Sequence, residues 1–453
     1  MAAARWHGAP ALRSHGATYI SRIPIDPLTD RTEGLLSALN SLPPEPTWSL
    51  PEPPPGKKWA GTPSGPINPS RICDGPWSPE TRPHMRAVIA FLESPEVKAA
   101  LSRFAALSPG GCRLSSQRAA DLRRAVDLLV ARSRYQHTGR GDVDAAIDNL
   151  LSVLRLSGIC CNSGDRLLIM VGIGCEQLAV QEMQVMCFEH PLSRVQAARI
   201  LEAMAGGEAS GETLWMRMVQ VHVAMWRHAL DCTYTLDSDG NGWLALSHLD
   251  SMVWDVRQAS VVRCGAWNLF STIFNSRRTV AAKIDDMEAV LVEIDNEPYD
   301  VGQARLMAVE AQQPLNWLDG PIWYLSIAGR MESEHRWYYR LRADRQAAIA
   351  AVALSAYRHE HGNYPDSLHD LVDSYLHDVP LDPLDGQPIR YAPTKTGDDF
   401  VLYSVGADLV DNGGRFRRMT EPASTSDEGR DVVFEHVRSA QLWSEIELED
   451  IES

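Results

Sequence analysis

"AIAAVALSAYRHEHGNYPDSLHDLVDSYLHDVPLDPLDGQPIRYAP" (residues 348–393) is the stretch on which the reading of the fold turns. Its first part is rich in Ala with no internal breaker, and it predicts a helix from about Arg336 to His361. Gly362 follows as a natural C′ residue, since glycine enters left-handed backbone at no steric cost. Prolines then punctuate the chain. Two strand-like runs, "PIRYAP" (388–393) and "FVLYSV" (400–405), flank the polar turn "TKTGDD" and read as a hairpin. "DVVFEHV" (431–437) is a third candidate strand. The expectation for 336–437 is a small α+β domain in which a long helix packs on a three-stranded antiparallel sheet. Ile349, Val352, Ala356 and Tyr357 are expected to face that sheet, with Arg345 and Arg358 outside.

Working outward, residues 81–335 read as one helix after another. Val143, Ile147, Leu150 and Leu154 mark an amphipathic stripe, and Leu214, Met218, Val221 and Met225 repeat it. Between them "DRLLIMVGIGCEQLAVQEMQVMCF" (165–188) is a longer apolar helix that stops before Pro191. Ser193 and Gln196 then have the spacing of a capping box. Helices with one apolar face each are expected to pack as antiparallel hairpins, giving a mainly α protein. Residues 1–80 read as a largely disordered arm, because 41–69 carries ten prolines and no helical or strand period. Residues 438–453 read as an acidic tail.

The formal net charge of −16 argues against general nucleic-acid binding, since phosphate repels an acidic surface. Metal cations suit such a charge better. Eight cysteines are scattered without a CxxC pair, so they read as small apolar residues in a reducing compartment. The most apolar run, "AAIAAVALSAY" (347–357), is about half the ~20 residues that span a bilayer, and the reading is of a soluble chain.

The motifs "GNYP" (362–365), "DPLDGQP" (382–388) with Tyr391, and "YSVGAD" (403–408) resemble, in order, the soluble domain of the major pseudopilin of type II secretion. The chain also resembles a group of bacterial proteins of unassigned activity in which a helical region precedes this domain. The resemblance implies a non-enzymatic structural or interaction role at the cell envelope, with protein partners. It also implies a calcium site: the matching positions are Asp408 and the Val405 carbonyl, with Asp411 and Asp431 as the nearest further carboxylates. The hydrophobic shaft helix of that family has no counterpart in this chain.

A second calcium candidate is "LDSDGNGWLALSHLD" (236–250), which has the outline of an EF-hand loop. Asp237, Asp239, Asn241 and the Trp243 carbonyl would be its ligands, but position 12 is His248, where the bidentate carboxylate belongs. It reads as a weaker site or as a capped loop between helices. Glu332 and His335 have the Glu-x-x-His spacing of di-iron bundles without the second motif such sites need. The acidic "IDDMEAVLVEIDNE" (284–297) reads as a solvated face. No nucleophile or phosphate-binding motif is present. The alternative to a structural protein is a helical metal-dependent enzyme using carboxylates of the N-terminal bundle.

Overall fold

The computed structural model describes residues 30–44, 85–114, 116–205, 213–244, 274–295, 297–312, 317–319, 330–393, 399–414 and 432–434. The protein is mainly helical. Eleven α-helices lie in the described residues: α1 (Thr32–Asn40), α2 (Met85–Leu92), α3 (Pro95–Ala105), α4 (Ala119–Arg134), α5 (Val143–Cys161), α6 (Arg166–Glu189), α7 (Arg194–Ala205), α8 (Leu214–Thr233), α9 (Arg277–Ile294), α10 (Tyr299–Gln312) and α11 (Arg330–His361). None of these is long and apolar enough to cross a membrane. The chain forms two compact units, one from 1–25, 164–166 and 212–338, the other from 26–163, 167–211 and 339–453. One division falls at 338, near that expected at 335, while none falls at 80 or 437.

The larger unit begins inside the expected disordered arm. Asp30 accepts from the Thr32 amide and hydroxyl, and α1 follows, burying Leu35, Ala38 and Leu39 against α3 and α4. α1 is thus an ordered element within the stretch read as an arm: the leucines of "EGLLSALN" carry a helical period that the neighbouring prolines obscured. Ser94 caps α3 with Pro95 at its first position, and Asp142 caps α5. α4 does not stop at Arg134 but widens into a π-helix, Tyr135–Arg140, closed by Gly141 in left-handed backbone. α5 and α6 approach closely, since a side chain at Gly172 would meet Cys161 Sγ at 2.8 Å and the Cys161 amide at 3.0 Å. The expected capping box forms: the Ser193 amide donates to Gln196 Oε1, and the Gln196 amide to Ser193 Oγ.

Within this unit lie the last turns of α11 and the hairpin. β1 (Arg390–Pro393) and β2 (Phe400–Ser404) pair antiparallel with Tyr391 opposite Leu402. β3, only Val432–Val433, pairs antiparallel with β2. The rest of the third candidate strand and the acidic tail lie outside the described residues. The orientation of α11 differs from expectation. Ala343, Ala347, Ala350 and Leu354 pack toward Phe400, Leu402 and Ile389, whereas Val352 and Ala356 pack with Ile147, Val180 and Ile200 of α5, α6 and α7. Ile349 packs against both groups, and Tyr357 packs against the hairpin side as expected. The helix is therefore buried on two sides, which its alanines permit because they let neighbours approach from either direction. Ser355 fastens it, donating to the Cys187 carbonyl and accepting from the Leu192 amide. Arg345 and Arg358 are engaged too, with Glu176 and with the Tyr364 hydroxyl.

The smaller unit is built on α8, α9, α10 and the first turns of α11. α8 buries Met218 and Val221 of the expected stripe together with Trp215, His222 and Trp226, whereas Leu214 and Met225 are half-buried. Trp215 Nε1 donates to the Leu291 carbonyl of α9.

Candidate functional site

The two Asp-rich loops come first, because the sequence points to them. In 234–244, Asp237 Oδ1 accepts from the amides of Asp239 and Asn241, so this carboxylate closes its own turn. The Trp243 carbonyl accepts from the Thr235 amide, and Asn241 Oδ1 from the Arg278 amide. The Arg278 guanidinium donates to the Asp239 carbonyl. Gly242 is required by closure: a Cβ there would lie 1.7 Å from the Thr235 carbonyl oxygen. His248 and the helix expected beyond it lie outside the described residues.

The C-terminal loop is organised in a similar way. Asp408 Oδ1 accepts from the Val410 amide at 3.3 Å, and Asp411 Oδ1 from the Gly413 amide and the Tyr403 hydroxyl. Arg390 reaches Asp382, Asp385 and Asp411 at once. The Val405 amide donates to Asp382 Oδ2, and Asp431 lies outside the described residues. Among the described residues no three acidic, His or Cys ligand atoms converge at either loop. Calcium needs six to eight oxygens. In the described residues each loop has an arginine among its oxygens, Arg278 in the first and Arg390 in the second.

Convergence occurs elsewhere, at the π turn. A ring nitrogen from each of His137 and His190 and a carboxylate oxygen of Glu189 lie within 4.8 Å of one another. His137 is 0 % exposed and sits on the π-helix, an element that recurs at functional sites. Its Nε2 is 2.9 Å from Glu182 Oε1, and Glu182 is gripped through both oxygens by the Arg134 guanidinium. Its Nδ1 lies 3.2 Å from Glu189 Oε2, an ion pair when the ring is protonated. The buried Nε2 of His190 has no hydrogen-bond partner. Burial works against a proton on His137, but the carboxylates of Glu182 and Glu189 outweigh it and raise its pKa. His190 is held below the ordinary value by burial, then by His137 beside it. Glu182 stays ionised despite burial because His137 and Arg134 face it.

A second polar group lies in the smaller unit. Arg166 Nε donates to Glu334 Oε1 at 2.8 Å and to His222 Nε2 at 3.1 Å, while His222 Nδ1 faces the Met218 carbonyl at 3.0 Å. His222 is thereby a neutral ring protonated on Nδ1. Glu332 and His335, the Glu-x-x-His pair, share one partner: Gln303 Nε2 donates to Glu332, and Gln303 Oε1 faces His335 Nδ1. His335 stacks on Tyr299 and meets Trp215 edge-on, a packed core histidine. The acidic face of α9 is paired, not merely solvated, through Arg227 with Asp285 and Glu288 and through Arg305 with Glu293 and Glu297.

Sequence reading missed His137, Glu182, Glu189, His190, Arg166, His222 and Glu334. His137 and Glu182 stand 45 positions apart, so no local spacing joins them. The available hint was a run of polar side chains, "SRYQHTGRGD" (133–142), continuing an otherwise apolar helix. Cys160, Cys161, Cys175 and Cys187 are buried and free, with burial pushing Cys175 and Cys187 up to about 12, so they act as protonated apolar residues. Compared with family models, curated proteins and solved structures, the chain matches none.

Proposed function

We propose that the protein is a non-enzymatic structural or interaction protein of the cell envelope, whose C-terminal helix and hairpin form a pseudopilin-like module. The three-stranded sheet of that module is completed by β3 and belongs to the same reading. One observation carries it. The residues on which the resemblance rests are those that hold the module together: the Tyr391 hydroxyl donates to the Pro365 carbonyl, Asp382 accepts from Val405 and Leu384, and Gly362, Gly386 and Gly406 occupy left-handed backbone. Tyr364 packs edge-on against Phe400 of β2. A run of residues matched by chance has no reason to share one hydrogen-bonded framework.

The partner class implied is protein, through a secretion-like assembly. Fractionation tests this: in a bacterium with a type II system, the tagged chain is expected with the envelope fraction, and released when the secretion apparatus is deleted. Recovery in the cytosolic fraction in both strains would overturn the reading.

A further inference from the structure

We propose that His137, Glu189 and His190 form a binding site for a divalent transition-metal ion of the zinc class. The donor set is two imidazole nitrogens and one carboxylate oxygen, which suits zinc and its neighbours better than calcium. The three donor atoms lie within 4.8 Å of one another, and a small inward shift of the side chains brings them to the separation of about 4.4 Å or less that an ion at about 2.0–2.2 Å from each requires.

Several features go beyond mere proximity. The hydrogen bond from His137 Nε2 to Glu182 fixes the ring and leaves Nδ1 as the donor atom facing the cluster. A carboxylate behind the ligating imidazole is the usual outer-shell partner of a metal-bound histidine. Glu182 is itself immobilised by Arg134, so the ring orientation is set in advance. The inward nitrogen of His137 is wholly buried and faces Glu189, and the buried Nε2 of His190 has no hydrogen-bond partner. An unpartnered buried nitrogen such as that of His190 costs free energy unless something satisfies it, and an ion does so. Glu189 is the last residue of α6 and His190 follows it, so the carbonyl end of that helix dipole also favours a cation. Three protein ligands leave at least one coordination position for water or for an outside group.

The test uses the full chain stripped with chelator and titrated with Zn2+ by calorimetry, with Co2+ absorption as a second readout. One ion per chain is expected, with a visible Co2+ band of a nitrogen- and oxygen-ligated site. His190→Ala and Glu189→Gln alter groups at the end of α6, outside the buried Arg134–Glu182 pair, and should leave the circular dichroism unchanged. Each is expected to weaken binding at least tenfold. His137→Ala is not relied on, because it opens a buried cavity. Absence of stoichiometric Zn2+ binding overturns the proposal. So does binding that survives both variants, or binding lost instead in Cys232→Ser, which would place the ion at the His228–Cys232 pair of α8.

Discussion

Arg390 shows how one side chain can replace an ion. It lies against Asp385, Asp382 and Asp411, and Asp382 is 0 % exposed. Arg390→Met would leave a buried carboxylate with only two backbone amides, and unfolding in urea should show a loss of about 2 kcal/mol. For the same reason, millimolar calcium is expected to leave the melting temperature of the unmutated protein unchanged. A rise that disappears in Asp408→Ala would instead assign calcium to this loop, and one that disappears in Asp237→Ala would assign it to the EF-like loop. His335 gives a pH signature of its own. Burial lowers its pKa to about 4, against about 6.5 for an exposed ring. Between those values the unfolded chain takes up a proton that the folded chain refuses. Stability should therefore fall as pH drops from 6.5 to 4, by up to about 1.4 kcal/mol per pH unit, and this dependence should be absent above pH 6.5. His335→Gln should flatten the slope; an unchanged slope would show that other groups produce it.

At the scale of the element, α11 is the informative case. Its Ala343, Ala347, Ala350 and Ala353 face the hairpin and its Ala348, Val352 and Ala356 face α5–α7, so errors on opposite sides should fail differently. Ala350→Leu overfills the hairpin side and should cost about 1–3 kcal/mol. Val352→Ala leaves a void on the helical side and should cost a comparable amount. Free acceptance of Leu at 350, judged by an unaltered urea midpoint, would mean that the hairpin does not press on that face. This helix also shows where sequence reasoning stops. Its C-terminal end at Gly362 and the Ser193–Gln196 cap were legible because each depends on residues within four positions. Its inward face was not, because alanine suits a tight interface and a solvated surface equally well. The π turn was illegible for a related reason, since its buried His137 is satisfied from a helix distant in sequence. Likewise α1 was hidden by the prolines around it, although its leucines had the right period.

The whole molecule is organised less simply than its sequence suggests. Composition placed a boundary near 335, yet Ile147, Val180 and Ile200 are covered by α11 residues beyond it. A chain ending at residue 335 should therefore expose that apolar face, bind a hydrophobic dye and aggregate, whereas a self-contained helical domain would stay monomeric with cooperative unfolding. The mainly helical class was readable from periodicity, which is local. The division into units was not, because it depends on which distant segments share a core. The interruption of the larger unit by residues 212–338 has a bearing on biosynthesis. At about 5–20 residues per second, a ribosome needs on the order of ten seconds to pass through the ~130 intervening residues. Throughout that interval the nascent larger unit lacks its final helix and hairpin, and its unfinished core is a ready client for chaperones. The smaller unit is nearly complete before its host can close, so the order of maturation runs from the inserted piece outward.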